Sequence, residues 1–116
     1  MNLFDKRNKV YQATKDLLFR MIQFESFPND FYKKFINTVN SGVSIFDNDI
    51  IDNLKEFKLK SAKLNSLKRA AEMHGAKPLD RYIRTNIAER EKLSKWFYSE
   101  FETIETRFEN YLNLQK

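Results

Sequence analysis

The amino-acid sequence predicts an all-α fold, an antiparallel bundle of about four helices, and three observations carry that prediction. Large apolar residues at Leu93, Phe97, Phe101, Ile104, Phe108 and Tyr111 recur at spacings of four, four, three, four and three, the period of one helix face. Gly and Pro number two each in 116 residues, too few for the tight turns of a β-rich chain. Eleven Phe, five Tyr and one Trp supply bulky rings for a core that a chain this short can fill only once, so one domain is expected over residues 1–116. A stripe as aromatic as that from Leu93 to Tyr111 is not stable in water, and the other helices must cover it.

The first helix is expected from about Asp5 to Glu25, with Val10, Thr14, Leu17, Met21 and Phe24 on one face. Asp5 with Lys9 and Asp16 with Arg20 are acid-first i,i+4 pairs, each worth about 0.2–0.5 kcal/mol. The run Ser26-Phe27-Pro28-Asn29-Asp30 breaks the pattern, because the residue before proline avoids helical dihedrals and Asn29 or Asp30 can cap the next helix. A short second helix, from about Asp30 to Asn40, buries Phe31, Phe35, Ile36 and Val39. Asn40-Ser41-Gly42 is a C-cap signal, and Val43 to Phe46 is an apolar connector expected in the core. Asp47, Asn48 or Asp49 caps a third helix that carries Ile50, Leu54, Phe57, Ser61, Leu64, Lys68 and Ala71 along one seam and stops at His74-Gly75. The fourth helix begins between Pro78 and Thr85. Short links make neighbours antiparallel, so the third turn lies at the pole opposite both chain ends.

The net charge of +5 is unevenly placed. Residues 55 to 95 hold twelve Lys and Arg against five acids, and the rest of the chain is slightly acidic. A cationic segment on an acidic body points to an anionic partner. The absence of cysteine removes a disulfide framework and makes the cytosol the default compartment. There is no apolar run of the roughly 18 residues that a membrane span needs, and Met1 to Arg7 lacks the apolar stretch of a signal peptide. Helical periodicity starts almost at Phe4, as in a chain cut from something longer.

Ala76 to Arg90 is the least apolar and most arginine-dense helical stretch. Lys77, Arg81, Tyr82, Arg84, Thr85 and Asn86 bring guanidinium forks, a stacking ring and amide or hydroxyl donors close together, and Arg69 joins them as a candidate contact. A helix N-terminus adds N–H groups and a field that favours an anion. The competing reading is ordinary surface charge, since no glycine-rich phosphate cradle is present. His74, the one histidine, reads first as a C-terminal capping cation and second as a ligand contact. Without cysteine and with one histidine there is little from which to build a nucleophilic triad or a metal centre, so no catalytic residue, metal or cofactor is expected. Glu100, Glu102, Glu105 and Glu109 read as a solvated face, and Asp47-Asn48-Asp49 lacks the later glycine and glutamate of a calcium loop. Of the consecutive Trp96, Phe97 and Tyr98, at least Tyr98 must be partly exposed, either as a rim residue or at a subunit interface.

The opening Phe4-Asp5-Lys6-Arg7 with Val10-Tyr11, the central Ile45-Phe46-Asp47 with Ile50, and the closing Lys95-Trp96-Phe97, Arg107-Phe108 and Tyr111-Leu112 resemble a pattern of small bacterial membrane-anchored proteins with a cytosolic helical tail. The layout is similar to that of the membrane effectors of type III CRISPR systems, whose cytosolic helical domain binds a cyclic oligoadenylate. The resemblance uses mostly core positions and transfers no site residue. It implies the cytoplasmic domain of an inner-membrane protein, anchored through a segment absent from this chain. It further implies a non-enzymatic sensor of a cyclic oligoadenylate or other anionic nucleotide in antiviral defence. A symmetric ring is best held by a homo-oligomer. On the residues, Arg69, His74, Lys77, Arg81, Tyr82, Arg84 and Asn86 would make the contacts. Two alternatives remain: a helical protein-interaction domain with incidental charge, and a nonspecific nucleic-acid-binding domain.

Overall fold

The computed structural model describes residues 2–74 and 81–112, which form four α-helices: α1 (Leu3–Phe24), α2 (Asn29–Gly42), α3 (Asn48–His74) and α4 (Arg81–Leu112). A single 3-10 turn, Val43–Ile45, links α2 to α3. Each starts where chain chemistry allows. The Asn2 side chain accepts the Asp5 N–H at 2.8 Å to cap α1, and Asp47 Oδ1 accepts the Ile50 N–H at 3.2 Å to cap α3. Neither Asn29 nor Asp30 caps α2. Pro28 takes that position in extended conformation without a side-chain bond, since its fixed φ already suits a helix start.

Contacts between helix ends fix their directions. Glu25, at the end of α1, bonds Arg90 near the start of α4, while Asp47, before α3, bonds Tyr111 near the end of α4. Gly42, closing α2, lies against Lys6 and Val10 at the start of α1. The bundle is therefore antiparallel, and the end of α3 and the start of α4 lie at the pole opposite the start of α1 and the end of α4. No helix among the described residues is long and apolar enough to cross a membrane.

The core follows the line Leu93, Phe97, Ile104 and Phe108 of α4, covered by Val10, Leu17, Leu18 and Met21 of α1 and by Leu54, Phe57 and Leu64 of α3. Phe97 and Phe108 are wholly buried. Phe46 from the connector reaches this line with its ring 5.4 Å from Phe108 and 5.0 Å from Tyr111. Tyr98 is 59% exposed, as a third consecutive ring on one helix must be.

Several expectations are corrected. Phe101 is only partly buried and meets the exposed Phe19 at 6.2 Å, whereas Glu100, expected in water, is 7% exposed. The seam of α4 turns toward α3 at this level, where Asn53 Nδ2 donates to Glu100 Oε1 at 3.0 Å and Arg107 pairs with Oε2 at 3.0 Å. A buried carboxylate with two donors is tolerable; an unpaired one would not be. The Asp5–Lys9 and Asp16–Arg20 pairs do not form among the described residues. Arg20 instead lies over the rings of Phe24 and Phe31, at 4.9 and 5.4 Å, where its flat, weakly hydrated cation gains ring-face attraction.

Gly42 is also not a left-handed cap, since its φ is −117°. Its role is close approach: a Cβ there would stand 2.6 Å from Val10 Cγ2, an atom fixed in the core. The left-handed residue is Glu25 at φ 58°, whose N–H returns to the Met21 carbonyl and ends α1. Gly42→Ala should cost about 1–3 kcal/mol in urea denaturation, and the loss should shrink markedly in a Val10→Ala background if that one contact causes it.

At the pole holding the chain ends, the Tyr111 hydroxyl donates to Asp47 Oδ2 at 2.5 Å, and Arg7 lies 5.3 Å from the Tyr111 ring centre. That hydroxyl first, and the Ile50 N–H second, hold the Asp47 carboxyl below its ordinary range, while the bond to Asp47 raises the Tyr111 hydroxyl. A lowered carboxyl contributes stability above its unfolded pKa of about 3.9 and loses it as pH falls through the folded value. A raised tyrosine contributes below about 10 and loses it as pH rises through its own folded value. Tyr111→Phe should therefore flatten the acid side of the stability–pH curve measured by thermal melts from pH 2 to 6, and an unchanged acid side would refute the link.

Candidate functional site

Those of the residues expected to contact a ligand that the structure describes belong to the α3–α4 pole, and their surroundings separate them. Arg69 Nη2 donates to the Phe27 carbonyl at 3.0 Å, which ties α3 to the α1–α2 turn; Phe27 N–H in turn donates to Asn65 Oδ1 at 3.0 Å. Arg69 is thus a structural clamp on a buried ring, with its outer nitrogen engaged.

Asn86 is 2% exposed, and both ends of its amide are used. Its Nδ2 donates to the Leu67 carbonyl at 2.9 Å, and its Oδ1 accepts from Arg90 Nε at 2.8 Å. Arg90 Nη1 continues to Glu25 Oε1 at 2.8 Å, and Ser94 donates to Glu25 Oε2 at 2.8 Å. One polar chain therefore runs from α3 through α4 to the end of α1. Asn86 cannot read a base edge from this position. Its i,i+4 relation to Arg90 was the available signal for an internal network.

Arg81 and Arg84 are exposed on the face of α4 opposite Ile83 and Asn86, and no partner for either appears among the described residues. Thr85 on the same face uses its hydroxyl internally, donating to the Arg81 carbonyl at 3.0 Å. Tyr82, 55% exposed, sits beside them. The His74 side chain and Lys77 lie outside the described residues. The described residues consequently divide: Arg81, Tyr82 and Arg84 share the solvent side of the first described turn of α4, Asn86 is committed inward, and Arg69, though exposed, spends Nη2 on the Phe27 carbonyl and Nε on Asn65.

Two cations missed at the sequence level complete the exposed face. Lys92 and Lys95 lie eleven and fourteen residues after Arg81, close to whole numbers of helical turns, and both are exposed. Arg81, Arg84, Lys92 and Lys95 thus form a row opposite Leu93 and Phe97, spanning about 21 Å at 1.5 Å per residue. Glu91 flanks the row, and Glu89 is turned aside to Lys63 at 3.6 Å. Such a row can follow several phosphates in line, but it is convex and has no walls to enclose a small molecule.

No group of three or more acidic, His or Cys side chains among the described residues could hold a metal ion. Comparison of the chain with protein-family models, with curated proteins and with solved structures returns no match.

The contrast between the two sets of residues is measurable. Asn86→Ala should cost about 1–3 kcal/mol in urea denaturation, because it strands the Leu67 carbonyl and the Arg90 guanidinium. Arg84→Ala should stay within about 0.5 kcal/mol. Equal losses would mean that Arg84 is structural too.

Proposed function

We propose that this chain is a non-enzymatic binding domain for an oligonucleotide, held by its phosphates against the outer face of α4. The observation that carries the reading is the row Arg81, Arg84, Lys92 and Lys95, four exposed cations opposite the core of one long helix. A guanidinium offers a bidentate fork to a phosphate and an ammonium a point charge, so the row passes from forks to point charges along α4. Tyr82, at the arginine end, supplies a ring on which a base stacks. The row is two pairs, Arg81 with Arg84 and Lys92 with Lys95, about 12 Å apart along the helix, and a linear strand laid along α4 reaches both without bending.

The cyclic oligoadenylate expected from the resemblance is the second reading, and the grouping of Arg81, Tyr82 and Arg84 in one turn supports it. A ring would draw that turn from several copies of the chain into one symmetric site. In that reading the domain is the cytoplasmic sensor of an inner-membrane effector in antiviral defence, anchored through a segment outside this chain.

Titration with linear single strands of increasing length and with cyclic oligoadenylates, each at several salt concentrations, separates the readings. For a linear strand, log K should fall with log salt at a slope near −3, from about −0.7 for each of four phosphate contacts, and Arg84→Ala should reduce the slope by about 0.7. A fixed ratio of ring to oligomer with a weak salt response would favour the cyclic ligand. No binding of either would overturn the oligonucleotide reading and leave a protein-interaction domain.

A further inference from the structure

A concave surface, separate from the convex row on α4, lies between α1 and α2. Two adjoining depressions of about 430 and 390 Å³ share Lys9 and Thr38 and form one groove along the helix pair. Its length follows α2 from Phe31 to Ser41, about 15 Å. The fold makes the space. Gly42 brings the end of α2 hard against Val10, and one turn further along α1 the small Ala13 faces the much larger Phe31 and Phe35 and leaves room between them.

The chemistry of the walls is divided. The floor of the larger depression is Ala13, Phe31 and Phe35, with Phe35 almost wholly buried. Lys9 and Lys34 stand on its rim with Asp16 as the one acid there, and Lys6 lines the smaller depression with Lys9. None of these lysines has an ion-pair partner among the described residues, because the Asp5–Lys9 pair does not form. Ligand sites are commonly concave and apolar, of 300–1,000 Å³, with a few polar groups converging on one end of the ligand. Two lysines beside an aromatic floor select a flat apolar body that carries negative charge.

We propose that the α1–α2 groove binds a small aromatic anion, its ring against Phe31 and Phe35 and its charged group between Lys9 and Lys34. The charged group is a carboxylate or a phosphate, as in an aromatic acid or a nucleoside monophosphate. This site is independent of the row on α4.

The test uses the fluorescent aromatic anion 8-anilinonaphthalene-1-sulfonate with the whole chain. Saturable enhancement at one probe per chain is expected. Lys9→Ala and Lys34→Ala should each weaken it about tenfold, the loss of one charge-assisted contact, with melting temperature unchanged. Thr38→Phe, which fills the groove from its rim, should abolish it. Displacement by adenosine monophosphate would assign the phosphate form, and displacement by benzoate the carboxylate form. Displacement by neither, unsaturable binding, or unchanged affinity in both lysine variants would overturn the proposal. Arg81→Ala with Arg84→Ala should leave probe binding intact; its loss there would also overturn it. Because those two variants weaken only the oligonucleotide, the two sites can fail separately.

Discussion

The structure depends on the burial of one line of side chains on α4. Phe97, Ile104 and Phe108 have almost no accessible surface, and two such rings in a chain this small are a large share of what removing apolar area from water can contribute. α1 and α3 lie where they do because that line needs cover on both flanks. The 14-residue α2 closes the remaining side of α1, brought in by the Gly42–Val10 approach and by the stack of Phe27 on Tyr32 at 4.4 Å.

The same constraint decides where charge can go. A helix whose one side is committed to the core leaves the opposite side in water, so cations there cost no desolvation. Arg81, Arg84, Lys92 and Lys95 occupy that side. Charges that face inward are treated differently: Glu100 has Asn53 and Arg107, and Arg90 has Glu25 and Asn86. The functional reading rests on this separation between cations already satisfied by the fold and cations left to solvent.

Periodicity made the helices legible, because burial of a stripe acts on every third or fourth residue and writes itself into the chain. The connector ending in Phe46, a cap for α3 among Asp47, Asn48 and Asp49, and the exposure of Tyr98 were readable for the same local reason. What was not readable depends on which neighbour a residue meets. Glu100 and Phe101 are adjacent in sequence, and only the position of α3 decides that the glutamate turns inward. Gly42 looks like a cap by composition, yet it is required by the distance to a helix much earlier in the chain. Asn86 is donor and acceptor in any sequence, and its engagement with Leu67 and Arg90 appears only when α3 and α4 are laid side by side. The row on α4 is hidden in the linear chain because Lys92 and Lys95 stand among acids there, and they align with Arg81 only once the residues are placed around the helix.

α1 ends level with Arg90 and Ser94, so the first nine residues of α4 project past it along α3. α4 nevertheless continues without a break to Leu112, beside the chain's own beginning at Arg7. A push on the projecting end cannot be absorbed by a joint within the rod. It is carried mechanically, as tilt of a stiff lever, to the pole where α1 begins and α4 ends.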